Sequence, residues 1–202
     1  MTIPVRTTLS TKDRLLETAQ RLMLAKGFTA TSVEEICTAS KLTKGSFLHY
    51  FDSKETLGKE LLARFCQSMA ERMGQAVSPK VTDPLARVYA YVDFAITMSK
   101  ECRDSSACLL GTFAQELSDT NPAMRSQCAT AFERWGDALK RDLDAAKAKY
   151  APRRAMDTAS LANLFISVLE GAKILAKTRQ NARIEEQSLR HFKQYLKSLF
   201  ET

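Results

Sequence analysis

The stretch TSVEEICTASKLTKGSFLHYF, residues 31–51, begins as a helix and then loses its apolar rhythm near Lys41, although it contains no proline and no pair of glycines. Thr31 or Ser32, each followed three residues later by a glutamate, has the spacing of a capping box and predicts a helix over 33–40. The apolar rhythm returns at Phe47, so a second short helix follows closely. Two helices separated by so short a turn must cross at a steep angle.

The second helix, predicted over 44–51, is apolar on one side only. Thr43 is placed to cap it, and Lys44, Gly45 and Ser46 are too small or too polar to form a core. The apolar side is supplied by Phe47, Leu48 and Phe51. A supporting helix, a turn and a second helix with a polar N-terminal face make a helix-turn-helix, whose second helix has the dimensions to enter the major groove of DNA.

The rest of the chain is also predicted to be helical, because glycine and proline are scarce and strand-like alternation is nearly absent. Asp83-Pro84 and Asn121-Pro122 each join a good N-cap to a proline suited to the first helical position. The fold class is therefore all-α, with about nine helices at 11–26, 33–40, 44–51, 54–77, 84–101, 106–118, 122–150, 157–179 and 184–200.

The chain divides into a three-helix helix-turn-helix domain over 1–54 and a larger helical bundle over 55–202 that we expect to bind a ligand and to dimerise. The segment TASLANLFISVLEGAKILAK, residues 158–177, is apolar around more of its circumference than one buried stripe needs. Such a helix lies in the middle of a bundle or at a subunit interface.

Composition restricts the class of protein. The net charge of +7 on 202 residues favours an acidic partner. Five cysteines without a CxxC pair indicate free thiols in a reducing compartment rather than a disulfide framework or a zinc site. No apolar run approaches the roughly 18 residues of a membrane span, and the N-terminus lacks the apolar stretch of a signal peptide. We therefore expect a cytoplasmic protein with no membrane partner.

The sequence does not indicate an enzyme. His49 and His191, the two histidines, are far apart in the chain, and no HExxH, GxSxG, P-loop or GxGxxG motif is present. We predict no catalytic residue, no metal site and no cofactor. A purely structural DNA-binding protein remains an alternative, but it would not need some 120 residues of varied apolar helix and would be more basic.

The segment ETAQRLMLAKGFTATSVEEICTASKLTKGSFLHYFDSKETLGKELL resembles the TetR/AcrR family of bacterial transcriptional regulators almost position for position. Further on, ACLLGTFAQELSDTNPAMR and FERWGDAL resemble one branch of that family, which looks like regulators responding to reactive or small unsaturated compounds. Two positions depart from the pattern: Lys41 stands where glycine is usual, and Leu48 where tyrosine is usual.

The resemblance implies a homodimeric repressor that binds a palindromic operator in double-stranded DNA and is released by a small-molecule inducer. It implies phosphate contacts for Thr31, Ser32 and Lys54, base contacts for Thr43, Lys44, Gly45 and Ser46, and backbone contacts for His49 and Tyr50. These roles suit the chemistry, since helix N-termini and cations hold phosphates while short side chains read bases. The family dimerises through its last two long helices, where the candidate residues are Leu161, Leu164, Phe165, Val168, Leu169 and Ala172.

A ligand pocket is expected in the bundle. The candidate ligand-binding or sensing residues are Cys108, Tyr89, Phe94, Met98, Phe113 and Trp135, although apolar residues at helical spacing are more often core. Glu170 is a candidate polar anchor.

Cys108 has three possible roles. Ser105 or Ser106 is predicted to cap the sixth helix, which would place Cys108 in its first turn, where the helix dipole lowers the pKa of a thiol. The resemblance implies that such a cysteine can sense electrophiles or oxidants, with Cys102 as a resolving partner. The alternatives are a neutral thiol that lines the pocket and an inert thiol in the core.

Overall fold

A computed structural model describes residues 9–78, 80–101 and 107–200, which form nine helices and contain no strand. The helices are α1 (Thr11–Lys26), α2 (Val33–Ser40), α3 (Lys44–Tyr50), α4 (Lys54–Ala76), α5 (Pro84–Glu101), α6 (Leu109–Leu117), α7 (Pro122–Tyr150), α8 (Thr158–Thr178) and α9 (Arg183–Phe200). The all-α prediction is confirmed.

Polar side chains define where most of these helices begin. The Ser32 hydroxyl accepts a hydrogen bond from the backbone N–H of Glu35, whose carboxylate accepts one from the Ser32 N–H, so the predicted capping box is present. The Thr43 hydroxyl caps α3 by accepting a hydrogen bond from the Ser46 N–H, and Asn121 caps α7 directly before its proline. Because these signals are local, the observed helix ends lie close to the predicted ones.

The helix α6 differs from the prediction, which started it at 106. It begins at Leu109, with Cys108 as its N-cap and without any side-chain hydrogen bond at the cap. Ser105 and Ser106, the predicted caps, lie outside the described residues.

The apolar interior consists of two clusters. The first joins α1 to α4 with α6 and the start of α7; it includes Leu61, Phe113 and Cys128. The second joins α5, α8 and α9 around the later part of α7. The first cluster continues past residue 54, so the boundary between domains predicted from the sequence does not coincide with a gap in the packing.

The helix α8 alone among the described segments has the length and apolar composition to cross a membrane, but a third of its most apolar window is buried within the protomer. Leu161, Phe165 and Leu169 pack inside the second cluster. Leu164, Ile174 and Leu175 are 41%, 46% and 44% exposed. The helix is thus core on one side and carries a row of exposed apolar residues on another.

Candidate nucleic-acid interface and ligand pocket

The N-terminal end of α3 faces solvent. Thr43, Lys44 and Gly45 are exposed, while Phe47 is buried in the first cluster, so the helix presents one face outward. The Thr43 hydroxyl accepts a hydrogen bond from the Ser46 N–H at 3.0 Å and lies 3.0 Å from the Ser46 hydroxyl. A Cβ added to Gly45 would meet only the Thr43 hydroxyl, at 3.6 Å, so nothing in the protein itself requires glycine there.

The turn before α3 is made by Lys41 in the left-handed conformation, with φ 55° and ψ 43°. Its N–H bonds to the last carbonyl groups of α2, and Arg14 of α1 donates to the Ser40 carbonyl at 2.6 Å. The turn expected from the sequence is present although Lys41 replaces glycine. These contacts fix the angle at which α3 leaves α2.

The C-terminal end of α3 also carries candidate contacts. His49 and Tyr50 are exposed, with their rings edge to face at 4.7 Å between centroids. Leu48, where the family's tyrosine is usual, is 52% exposed. Phe47 and Phe51 point the other way and lie against each other in the core, with centroids 5.7 Å apart.

Two predicted phosphate contacts are directed into the protein instead. The Thr31 hydroxyl is fully buried and donates to the Gly27 carbonyl at 2.7 Å, so it cannot reach DNA in this conformation. The Lys54 ammonium donates to backbone carbonyl groups of the turn between α1 and α2, and it lies 4.6 Å from the centroid of the Phe28 ring. Burial lowers the pKa of Lys54. Both side chains stabilise the turn that leads into α2.

The six ligand candidates divide between the two clusters. Cys108 and Phe113 belong to the first, where the Phe113 ring lies edge to face against Phe28 at 5.2 Å. Tyr89 and Trp135 pack against the second. Phe94 and Met98 are half-buried on α5. The structure therefore does not gather all six around one space.

The local environment of Cys108 opposes the predicted low pKa. Its side chain is buried, and this burial, together with the negative charge of Glu170 beside it, raises the pKa of the thiol. Cys108 is the N-cap of α6, and the backbone N–H of Gly111 favours its thiolate, but burial and the charge of Glu170 outweigh that effect. The environment therefore opposes the helix-stabilised thiolate expected from the sequence. Cys102, the expected resolving partner, lies outside the described residues.

Glu170 lies against the first turn of α6. A Cβ added to Gly111 would lie 2.1 Å from one Glu170 carboxylate oxygen, so the glycine permits this close approach. The other oxygen, Oε1, is buried and has no hydrogen-bond partner among the described residues. Burial raises the pKa of Glu170. Nearby, Lys173 pairs with the buried Glu185 at 2.7 Å. The sequence indicated Glu170 and Cys108 as separate candidates, but it gave no sign that Gly111 brings them together.

A cleft of about 1070 Å³ opens between α1, α4 and the connection from α8 to α9. Leu24 and Phe65 are among its apolar walls, and Arg21 and Lys177 lie at its polar side. None of the six ligand candidates is among the described residues that line it. Of the candidate residues, Cys108 is nearest in the chain, since Ala107 contributes to the wall.

Comparison with known proteins agrees with this architecture. Residues 15–61 match the model of the bacterial regulatory proteins of the tetR family, and residues 84–192 match that of the tetracyclin repressor-like C-terminal domain. The HTH-type transcriptional repressor DhaR of Mycobacterium sp. is 26% identical over 178 residues, 88% of each chain. The repressor NemR of Escherichia coli is 26% identical over 185 residues, covering 91% of this chain and 92% of NemR.

Solved structures share the fold. The crystal structure of the reduced form of E. coli NemR superposes with a TM-score of 0.77, covering 91% of this chain and 95% of NemR at 26% identity. The regulatory protein TetR from Rhodobacter sphaeroides gives a TM-score of 0.79 at 25% identity, covering 94% of this chain and 98% of that protein. With family models matching both ends of the chain, the protein belongs to the TetR family of bacterial transcriptional regulators.

Proposed function

We propose that this protein is a homodimeric repressor that binds a palindromic operator and is released by a small molecule or by modification of a thiol. As a TetR-family member it is a DNA-binding transcriptional regulator and not an enzyme. A regulator of this kind acts on the chromosome, in the cytoplasm. A constitutive structural role is not favoured, because the relatives that match over most of the chain are named transcriptional repressors.

The observation that carries the DNA-binding site is the open face at the start of α3. Lys44 is mostly exposed, and its ammonium lies only 3.6 Å from the equally exposed Glu34 carboxylate, a weak surface pair that DNA can replace. Gly45 leaves room for a base edge or a sugar to approach the backbone. We assign Thr43, Lys44, Gly45 and Ser46 to base contacts.

His49, Tyr50 and the capping residue Ser32 are assigned to the sugar–phosphate backbone, since each is at least partly exposed beside this face. The assignments of Thr31 and Lys54 change: they position the supporting helix instead of touching phosphate. One α3 helix covers few base pairs, so two half-sites are needed for useful affinity. The two-fold axis of a dimer then requires an inverted repeat.

The operator is identified by selecting bound sequences from a random DNA library with the wild-type protein. The expected product is an inverted repeat, and fluorescence anisotropy then gives the affinity. Gly45→Ala should weaken binding at least tenfold, roughly the cost of one lost base contact. Its thermal stability should not fall, since alanine favours the helix and meets nothing closer than 3.6 Å.

Gly74→Ala on α4 is the matched control, because no atom lies within 4 Å of the added Cβ and the residue is far from α3. Equal affinities for Gly45→Ala and the control would show that α3 is not the helix that contacts the bases. Lys44→Ala should also weaken binding without unfolding the dimer.

Release is assigned to the bundle, with Cys108 as the candidate sensor and Phe94, Met98, Tyr89, Trp135 and Phe113 as further candidate ligand contacts. Phe113 shares the first cluster with Cys108, whereas Tyr89 and Trp135 pack against the second. The solved NemR structure is described as a reduced form, which supports testing thiol chemistry here. The raised pKa of Cys108 favours a protonated thiol, so any reaction should be slow at neutral pH and faster above it. Operator release by N-ethylmaleimide, lost in Cys108→Ser, would establish sensing; equal release by both proteins would leave Cys108 as wall.

A further inference from the structure

The turn between α1 and α2 is held from two sides by other helices. From α6, the Glu116 carboxylate accepts hydrogen bonds from two backbone N–H groups of the turn, Phe28 at 3.2 Å and Thr29 at 2.8 Å. From α4, the Lys54 ammonium donates to the carbonyl oxygens of Phe28, Thr29 and Thr31 at 3.0, 3.4 and 2.9 Å. We name the Glu116 carboxylate and its two N–H bonds the α6 clasp.

The clasp depends on close packing. Gly27 has φ 92°, and a Cβ added there would lie 2.0 Å from a Glu116 oxygen, so glycine is required by both the backbone conformation and the approach of the carboxylate. The next residue, Phe28, lies edge to face against Phe113, one turn before Glu116 on α6. The position of the turn relative to α6 is therefore fixed both by its backbone and by the Phe28 side chain.

The turn leads directly into the DNA-reading helices. Thr31 closes it with a buried hydrogen bond to the Gly27 carbonyl, and Ser32 is the N-cap of α2. Because α2 is joined to α3 by the constrained turn at Lys41, a displacement of residues 27–31 changes the position from which α3 meets DNA.

The other end of α6 lies in the bundle. Gly111, in the first turn of α6, is packed against the Glu170 carboxylate of α8, and Cys108 caps the same turn. The helix has nine residues, so at about 1.5 Å per residue it is roughly 13 Å long, with the Glu170 contact at its first turn and Glu116 near its end. A group that enters between α6 and Glu170 must displace one of them.

We propose that the α6 clasp is the positioning contact through which the bundle controls DNA binding: displacement of the first turn of α6 away from Glu170 withdraws Glu116 from Phe28 and Thr29 and lowers operator affinity. This inference rests on the proposed operator binding. It gives the signal a direct route through α6 to the start of α2, without passing along α4.

A double-mutant cycle tests the route without a known inducer. Gly111→Val places two methyl groups where the Glu170 carboxylate lies and acts as a permanent wedge, while Glu116→Gln keeps one acceptor and removes the other. Each single variant should weaken operator binding about tenfold, within the usual range of allosteric coupling. Gly111→Val should cost little more in the Glu116→Gln background, because the contact that transmits its effect is already lost.

Matched controls are Gly74→Val, on an open position of α4, and Gln115→Ala, the exposed neighbour of Glu116; neither should change affinity. A second measurement is amide hydrogen exchange in residues 27–32, which should rise in Gly111→Val although the wedge is at the opposite end of α6.

The inference is overturned by additive losses in the cycle, by wild-type affinity in Gly111→Val, or by unchanged exchange in residues 27–32 of that variant. If the wild-type protein selects no operator, the proposed function fails on its own. The exchange measurement still decides whether the two ends of α6 are coupled.

Discussion

Several residues hold a conformation or charge that is unfavourable in isolation. Lys41 adopts the left-handed backbone conformation that an L residue with a Cβ resists. Glu170 keeps one carboxylate oxygen buried without a partner in the described structure, beside Cys108 and near the Lys173–Glu185 pair. Such residues are stable only because the surrounding packing determines their position, so they are good places to test the energetics.

Lys41→Gly should stabilise the protein by about 0.5–1 kcal/mol, because glycine adopts positive φ without the steric cost that lysine bears. The measurement is the midpoint of urea unfolding. Lys41→Ala is the control, since alanine retains the Cβ and should give no gain. Equal stabilisation by both variants would show that the strain at this turn is not the cause.

Glu170→Gln should stabilise the protein at neutral pH and not under acidic conditions. Burial raises the pKa of Glu170 above its ordinary value of 4.5, so the folded state holds a proton that the unfolded chain releases. The stability of the wild type relative to the variant should therefore be greatest below pH 4.5 and fall as pH rises towards the folded-state pKa. Thermal unfolding between pH 4 and 8 measures this. An advantage of Glu170→Gln over the wild type that increases on acidification would contradict this prediction.

At the scale of elements, local signals and contacts distant in sequence differ in how well they could be predicted. The sequence predicted the helix-turn-helix and the starts of α1, α2 and α7, because a cap and its partner lie three residues apart. It misplaced the start of α6, whose cap makes no side-chain bond. It predicted phosphate contacts for Lys54 and Thr31, whereas both side chains bond to backbone carbonyl groups within the protein. The partners of Lys54 are more than 20 residues away in the chain, and the partner of Thr31 is the Gly27 carbonyl in the buried turn.

We expect Lys54 to stabilise the packing of α4 against the turn between α1 and α2. Lys54→Met retains most of the apolar side chain over Phe28 but removes the donor to three carbonyl groups, so unfolding should become easier by about 1–3 kcal/mol. Lys59→Met is the control on the same helix, since its pair with Glu55 is exposed and contributes little. Differential scanning calorimetry compares the two variants. Equal unfolding midpoints would show that Lys54 does not stabilise the turn and would leave its ammonium available for a phosphate contact.

At the scale of the whole molecule, the second cluster leaves part of α8 and α9 uncovered. Leu164, Ile174 and Leu175 on α8 and Tyr195 on α9 are between 41% and 47% exposed. Of the residues predicted for the subunit interface, Leu164 is exposed and Val168 is partly buried against the second cluster. Leu161, Phe165, Leu169 and Ala172 are already buried within the protomer. The sequence showed that α8 has more apolar residues than a single buried face requires. It could not show which of them pack in the core of the protomer and which are left for a subunit interface.

Ile174→Glu with Leu164→Glu should convert the dimer to a monomer at micromolar concentration, because charges would have to be buried between subunits. Sedimentation velocity measures the mass, and operator affinity should fall with it, since two half-sites can no longer be bound together. Leu48→Glu, on exposed α3, is the control that should remain dimeric. A double variant that stays dimeric would place the interface elsewhere.

The shared first cluster limits how such regulators can be recombined. Residues Cys108 to Cys128 belong to the same interior cluster as Phe47 and Leu61, so a fragment ending at residue 54, or even at Leu62, would lack part of that interior. A chimera made by grafting this N-terminal segment onto a relative's bundle would inherit foreign side chains at Phe113 and Glu116. Exchange of operator specificity between relatives should therefore succeed only when α6 and the first turns of α7 are transferred together with α1 to α4.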